Sequence, residues 1–204
     1  MGVNETRYGA GALSARYDAA LLWVSELHRR QMRKNGDVPY LSHLLRVSGL
    51  ALDYGASEDV AIAALLHDSV EDCGGMERLK EIRERFGNEV ATIVMEASDS
   101  TAADSSKKAP WKERKDAYVA RLERASDSGV LVSACDKIDN VASLIRTLTN
   151  SSNHEAMLKK FKGGAEGVAW YYKAVLDVVQ RRSSPAAREL KNLVIELVKI
   201  LSGC

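Results

Sequence analysis

The stretch Ala63-Ala64-Leu65-Leu66-His67-Asp68-Ser69-Val70-Glu71-Asp72 changes from apolar to polar within a few residues. Its first half is typical of a helix that is buried on all sides. On a continuous helix, His67 and Glu71 lie four positions apart and therefore share one stripe. Asp68 and Asp72 share the neighbouring stripe in the same way. Burying these polar groups without partners would cost several kcal/mol, so we expect a divalent cation to bind two or more of them.

Two residues elsewhere in the chain complete a candidate metal site with this stretch. His43 precedes His67 by 24 positions, a span that allows a helix, a short turn and a second helix to fold back. Asp136 lies in a strongly apolar helical segment, where a carboxylate also needs a partner. Two imidazoles and two carboxylates suit Mn, Fe, Co, Ni or Zn better than calcium. A lone His-Asp pair is usually an ordinary surface pair, but the coincidence of all these residues favours a metal site.

The composition is that of a soluble globular chain built from helices. Its 204 residues suffice for one compact domain with a continuous core. Only 3 prolines and 6% aromatic residues favour helices over a sandwich or barrel. Helical periodicity runs nearly throughout, and no pair of segments has a convincing strand pattern. We therefore predict an all-α fold in which residues 1–204 form a single domain, a bundle of about eight to ten helices.

Capping and breaking residues predict where the helices begin and end. Ser14 is a candidate N-cap for a first helix that runs to about Arg33. Ser57 is a candidate N-cap for the apolar helix that reaches the polar stretch. The other predicted segments used below are a loop at 99–109, a central apolar helix at 130–148, and two final helices at 154–182 and 185–201.

Charge and cysteine content exclude several classes of protein. The net charge is +1, with 29 basic and 28 acidic residues, so there is no basic balance that favours binding to nucleic acid. Cys73, Cys135 and Cys204 are too few and too irregularly spaced for a disulfide framework, which indicates a reducing compartment. Apolar runs fall far short of the ~20 residues that a membrane span needs, and the N-terminus has no signal-peptide core. We predict a cytoplasmic protein without membrane partners.

Several motifs together resemble the hydrolase domain of RelA/SpoT-type proteins. The segment Pro39-Tyr40-Leu41-Ser42-His43 and the stretch 63–72 look most like the small single-domain alarmone hydrolases, including the metazoan SpoT homologue. Three further segments agree: His28-Arg29-Arg30-Gln31-Met32-Arg33-Lys34, Arg85-Phe86-Gly87-Asn88-Glu89-Val90 and Cys135-Asp136-Lys137-Ile138-Asp139-Asn140. The resemblance extends over about residues 15–182 and leaves 183–204 as a C-terminal helix. It implies a helical HD domain.

The resemblance also implies an activity and the residues that carry it. The activity is removal of the 3′-pyrophosphate of (p)ppGpp by attack of a metal-activated water, with one Mn²⁺ ion. The implied metal ligands are His43, His67, Asp68 and Asp136. Glu71 lies next to the ligands, where a carboxylate can orient or deprotonate a water molecule, and Asp72 is its expected helper. The expected partner is a small nucleotide; a homo-oligomer is compatible with the sequence.

Substrate-binding residues follow from the same resemblance, each with a plainer alternative. Arg33 and Lys34 are assigned to the base and the pyrophosphate; the alternative is a favourable charge pair at a helix C-terminus. Asn140 is expected to hydrogen-bond ribose or phosphate. Tyr171 is placed as an aromatic contact to substrate, although core packing explains it nearly as well. The basic pair Arg114-Lys115 reaches either phosphate or solvent.

The chain departs from the family pattern at three positions. Asp139 stands where the family usually has His or Tyr, and Gly167 and Trp170 stand before Tyr171 where a basic residue and a Glu are usual. These changes leave the metal chemistry intact and bear on the substrate. The alternatives are therefore hydrolysis of (pp)pApp, removal of phosphate from NADPH or another nucleotide, and a non-catalytic alarmone-binding module. Guanosine or adenosine preference, the metal used and the oligomeric state stay open.

Overall fold

The chain folds into helices that pack around one hydrophobic core. A computed structural model describes residues 13–34, 37–99, 109–151 and 162–203. Within these ranges there is no strand beyond an isolated bridge between Met32 and Pro39, so the predicted all-α fold is confirmed. The helices are α1 (Ala15–Leu27), α2 (Leu41–Asp53), α3 (Glu58–Leu66), α4 (Ser69–Asp72), α5 (Gly75–Phe86), α6 (Asn88–Ala97), α7 (Trp111–Leu122), α8 (Asp127–Thr149), α9 (Gly164–Arg181) and α10 (Ala187–Ser202).

Serine side chains begin three of the helices. The Ser14 hydroxyl accepts a hydrogen bond from the Arg16 backbone N–H at 3.2 Å, and the Ser57 hydroxyl accepts one from Val60 at 3.5 Å. Each bond satisfies a donor that has no partner within the first turn of a helix. Both N-caps predicted from the sequence are therefore confirmed. Ser126 caps α8 in the same way.

The first helix is shorter than predicted. It ends at Leu27 rather than near Arg33, because the chain after it turns back on itself. The Arg33 N–H donates to the Val38 carbonyl at 2.9 Å, and the Tyr40 N–H donates to the Gln31 carbonyl at 2.8 Å. These bonds between segments on either side of a turn replace those that would continue the helix.

The helix predicted to pass through the polar stretch is also interrupted. Helix α3 ends at Leu66, the next two residues form a turn, and the one-turn helix α4 follows. The Ser98 hydroxyl, from the end of α6, donates to the backbone carbonyl of His67 at 3.3 Å. The His67 carbonyl therefore has a possible hydrogen-bond partner outside its own helix. The expectation that His67 and Glu71 share one stripe of a continuous helix was wrong.

Helix α8 is central, as predicted. Every residue from Gly129 to Asp139 is buried, and the helix packs against α2, α3, α6, α7, α9 and α10. Helix α3 is equally enclosed, with Val60 to Leu66 all buried. The ionisable side chains of α8 between Gly129 and Asp139 therefore lie inside the molecule.

The remaining predictions concern the connections and the chain ends. Residues 100–108 of the predicted loop, the start of the predicted helix at 154, and Cys204 lie outside the described residues. The two final helices are confirmed where the structure describes them. Cys73 and Cys135 are both free thiols. Among the described residues, none of the helices combines the length and the apolar character needed to cross a membrane.

Candidate active site

The fold brings the four predicted metal ligands into one buried cluster. His43 comes from α2, His67 and Asp68 from the turn between α3 and α4, and Asp136 from α8. Three of them, His43, His67 and Asp68, offer ligand atoms that all lie within 4.8 Å of one another. Asp136 Oδ1 lies 3.2 Å from His43 Nε2 and 3.7 Å from His67 Nε2. Asp136 thus lies beside both histidines of this group of three.

Contacts behind the two histidines orient their rings. His67 Nδ1 lies 2.9 Å from the Ala64 carbonyl oxygen, which can only accept, so Nδ1 carries the proton. His43 Nδ1 lies 2.7 Å from Asp139 Oδ2. Each ring is therefore held with Nε2 facing the cluster, the arrangement that metal-binding histidines use. His67 Nε2 is buried and has no hydrogen-bond partner among the described residues, which fits a ligand atom.

The electrostatics of the cluster favour cations. Burial raises the pKa of Asp68 and of Asp136, but His67 beside the first and Lys137 beside the second hold both well below the usual range. Burial likewise lowers the pKa of His43, yet hydrogen bonds to Asp136, Asp139 and Asp68 raise it to about 9. Two ionised carboxylates that attract a proton onto a buried imidazole attract a divalent cation for the same reason.

Tyr40 belongs to the site although sequence reasoning gave it no role. Its hydroxyl donates a short hydrogen bond to Asp68 Oδ2. Its ring stacks on His28 at 5.5 Å and meets the edge of His43 at 5.4 Å between centroids. Tyr40 therefore fixes Asp68 and packs behind His43. The signal in the sequence was its position three residues before His43, at the start of α2.

The predicted catalytic pair lies on the one-turn helix α4. Asp72 is exposed and accepts a hydrogen bond from Gln31 Nε2 at 2.7 Å, while Gln31 Oε1 lies 2.6 Å from His28 Nδ1. Glu71 is half-buried. Burial lowers the pKa of Lys115, and the negative charges of Asp99 and Glu71 oppose that shift, which places Glu71 near a basic side chain.

Two of the predicted substrate-binding residues are joined to the cluster by hydrogen bonds. Arg33 donates through one terminal nitrogen to Asp139 Oδ2 at 2.7 Å and through the other to Asn140 Oδ1 at 3.0 Å. Asn140 in turn donates to Asp136 Oδ1. The nitrogens of Arg33 are therefore engaged with α8. Lys34, which was also predicted to bind the substrate, is exposed on the turn that follows Arg33.

A second, aromatic and basic region surrounds Tyr171. The Tyr171 ring is buried on α9 with Trp111 and Tyr118 at 6.4 Å and 6.2 Å between centroids, and Lys115 Nζ lies 4.5 Å from its centroid. Its hydroxyl is buried without a hydrogen-bond partner among the described residues. The ring thus packs in the core, as the plainer alternative held, while its polar end needs a partner.

Basic side chains in this region pair with aspartates, one of which belongs to the His-Asp cluster. Asp99 pairs with both predicted residues, Arg114 and Lys115, the latter at 3.2 Å. Lys137, which sequence reasoning missed, forms an ion pair with Asp136 Oδ2, and its Nζ lies 4.7 Å from the Tyr118 centroid. The place of Lys137 next to Asp136 in the chain was the available signal.

The departures at Gly167 and Trp170 have a packing explanation. A Cβ at Gly167 would lie 3.2 Å from Trp111 Cζ3, and one at Gly163 would lie 2.6 Å from Trp111 Cη2. The two glycines thus make room for Trp111 against α9. Trp170 meets Trp111 edge-on at 6.4 Å, and Lys112 Nζ lies 3.7 Å from the Trp170 centroid. Aromatic packing therefore occupies the positions at which the sequence resemblance led us to expect a charged pair.

Comparison with known proteins agrees with this architecture. The HD domain family model matches residues 20–161. The guanosine-3′,5′-bis(diphosphate) 3′-pyrophosphohydrolase MESH1 of Xenopus tropicalis is 32% identical over 74% of this chain and 84% of its own length. The Drosophila melanogaster protein of the same name is 30% identical over 64% of this chain and 70% of its own length. The chain therefore belongs to the HD domain family and, within it, to the RelA/SpoT-type hydrolases.

A solved structure extends the comparison to the fold. It is that of a metazoan orthologue of SpoT, described as hydrolysing ppGpp, and it superposes with a TM-score of 0.70 over 90% of this chain and 96% of that chain. The two sequences are 24% identical, so this likeness concerns the fold. The helical HD fold implied by the sequence resemblance is thus confirmed.

Proposed function

We propose that this protein is a divalent-metal-dependent hydrolase that removes the 3′-pyrophosphate of (p)ppGpp. The observation that carries the proposal is the convergence of two imidazole Nε2 atoms and two ionised carboxylates in one buried cluster. The relatives that span most of this chain are named for that reaction. A cytoplasmic location, which the cysteine content favours, is part of the same proposal.

The metal ligands proposed are the four residues of the cluster, and the metal proposed is Mn²⁺. Mixed nitrogen and oxygen ligands suit Mn²⁺ and the other divalent metals of the first transition row. The buried Nε2 of His67, which lies 3.0 Å from Asp68 Oδ2, fits such a ligand. A bound divalent ion would lower the pKa of a water molecule and polarise a phosphoryl oxygen. His43, His67, Asp68 and Asp136 would hold it.

Glu71 is proposed as the base that orients and deprotonates the attacking water. It follows the ligand Asp68 by less than one helical turn and is half-buried, so its carboxylate meets few competing waters. Asp72 is proposed as its helper, because Gln31 fixes the Asp72 carboxylate at 2.7 Å. The proton taken by Glu71 would then be available to the departing pyrophosphate.

The nucleotide is proposed to lie between Arg33 and the region around Tyr171. Lys115 and Arg114 supply positive charge for phosphate groups, and the buried hydroxyl of Tyr171 supplies a donor. Arg33 has both terminal nitrogens engaged, so it would contact the nucleotide through the face of its guanidinium by stacking on the purine.

An adenosine alarmone is a second candidate substrate, because the proposed contacts do not select the base. Stacking on Arg33 does not distinguish guanine from adenine, because every base has a π-face. The family's usual charged pair before Tyr171 is replaced here by Gly167 and an aromatic wall. Hydrolysis of (pp)pApp would use the same metal and the same base.

The test is a substrate panel with the purified protein and Mn²⁺. ppGpp, pppGpp, pppApp, NADPH and deoxynucleoside monophosphates are incubated separately, with a His67→Ala/Asp68→Ala protein as the control. We expect pyrophosphate release from ppGpp that the control lacks. Release from pppApp alone would reassign the substrate. Absence of turnover on every substrate would leave an alarmone-binding module in place of the enzyme.

A further inference from the structure

Asp139 occupies a position that the predicted mechanism does not use. It lies on α8, three residues after Asp136, and is only 3% exposed. Its Oδ2 is 2.7 Å from His43 Nδ1 and 2.7 Å from a terminal nitrogen of Arg33. Arg46 Nε donates to its other oxygen. One buried carboxylate thus links a proposed metal ligand to a proposed nucleotide contact.

The contact with His43 has a direct consequence for metal binding. An Nδ1–H donated to a carboxylate fixes the tautomer and the ring orientation, so the lone pair of Nε2 faces the cluster. A carboxylate partner also makes the imidazole a stronger electron-pair donor to a metal than a carbonyl partner does. The two histidines differ in this respect, because His67 relies on the Ala64 carbonyl and His43 relies on Asp139.

The contact with Arg33 extends the same support to the nucleotide side. Arg33 follows the end of α1 and lies outside any helix, so its position depends on its hydrogen bonds. Asp139 and Asn140 together hold the plane of the guanidinium against α8. Arg46, whose side chain is 44% exposed, adds a second positive charge beside the carboxylate.

We propose that Asp139 is a positioning residue that aligns His43 for metal binding and Arg33 for nucleotide binding. The metal part depends only on the geometry of His43, whereas the nucleotide part rests on the proposed function. The sequence resemblance led us to expect His or Tyr at this position, where this chain has Asp139.

The test is the Mn²⁺ affinity of the metal-depleted full-length protein, measured by titration calorimetry without substrate. We expect Asp139→Ala to raise the Mn²⁺ Kd by about 10- to 100-fold, the effect typical of losing the partner of a ligating histidine. Asp139→Asn should lie between Asp139→Ala and the unaltered protein, because its amide oxygen can still accept from Nδ1. KM for ppGpp should rise in Asp139→Ala as Arg33 loses its support.

Asp53→Asn is the matched control. Asp53 is an exposed carboxylate that lines the same surface groove as Asp139, and its substitution removes the same charge. We expect it to leave Mn²⁺ affinity and KM unchanged. Circular dichroism of each protein checks the fold; if Asp139→Ala does not fold, Asp139→Asn carries the test through its intermediate Kd.

The outcomes separate this inference from the proposed function. Unchanged Mn²⁺ affinity in the folded Asp139 variants overturns the inference even if the unaltered protein hydrolyses ppGpp. So does an unaltered protein that binds no Mn²⁺. Conversely, Mn²⁺ affinity that depends on Asp139 in a protein inactive on ppGpp supports the metal part and removes the proposed substrate.

Discussion

The proposed metal side and the proposed nucleotide side of this site are built in different ways. On the metal side, His43 and His67 are each 1% exposed and Asp136 is 6% exposed, and each lies on or next to a helix of the core. On the nucleotide side, Arg33 comes from a turn, and Lys115 and Tyr171 come from helices α7 and α9. The first group is clustered within one small volume, whereas the second combines a turn residue with side chains from two further helices.

The difference predicts how each side responds to substitution. A buried ligand set leaves ionised groups without partners when one member is removed, so its loss is close to all-or-none. Contacts around Arg33 and Lys115 are shared among several charges and aromatic rings, so the loss of one should be graded. The following predictions, from the largest expected effect to the smallest, test this contrast.

Removal of two ligands should abolish turnover. We expect the His67→Ala/Asp68→Ala protein to lose at least about 1,000-fold in kcat/KM, or about 4 kcal/mol. Mn²⁺ binding, measured by calorimetry, should be lost with it. Asp53→Asn serves as the control, and its kcat/KM should equal that of the unaltered protein. Substantial activity in the double variant would contradict the placement of the metal.

Substitution of the proposed base should separate chemistry from binding. Glu71→Gln is expected to lower kcat by about 100- to 10,000-fold, the usual range for a general base, with Mn²⁺ affinity retained. Glu77→Gln, an exposed neighbour on α5, is the matched control. Loss of Mn²⁺ affinity in Glu71→Gln would instead make Glu71 a ligand.

Metal addition should stabilise the fold, because the ligands come from separate helices. At a free Mn²⁺ concentration of 100 times Kd, the stabilisation is about 2.7 kcal/mol. For a chain of this size, that raises Tm by about 5–10 °C, which thermal unfolding with and without EDTA measures. The shift should vanish in His67→Ala/Asp68→Ala. An equal shift with Ca²⁺ would argue against the mixed nitrogen and oxygen ligand set.

The smallest effect is expected on the nucleotide side. Lys115→Gln should raise KM for ppGpp by about tenfold, or about 1.4 kcal/mol, because one phosphate-facing charge is lost. Mn²⁺ affinity should not change. Lys173→Gln, an exposed lysine on α9, is the control. A loss of kcat as large as that of Glu71→Gln would show that the two sides are not separable.

The sequence anticipated the metal side far better than the nucleotide side. His43, His67 and Asp68 offer ligand atoms within 4.8 Å of one another, and Asp136 Oδ1 lies 3.2 Å from His43 Nε2. Predictions for Arg33 and Asn140 named the residues but not their contacts. Arg33 bonds to Asp139 across 106 positions of sequence, a contact that local periodicity does not report.

The sequence by itself determined the helical class, the caps at Ser14 and Ser57, and the presence of histidine and aspartate side chains within or next to apolar helices. These features depend on residues that are only a few positions apart in the sequence. The pattern of buried and exposed residues along a helix repeats over the same short distance. The sequence also placed Glu71 next to the ligands, although the helix it assumed there is broken after Leu66.

Only the tertiary structure decided where α1 ends, which group holds each histidine, and what Asp139 does. The end of α1 depends on pairing between segments on either side of a turn. His43 meets Asp139 across 96 positions. Such contacts arise when separate helices pack around one core, because a buried charge must find its partners in space rather than along the chain.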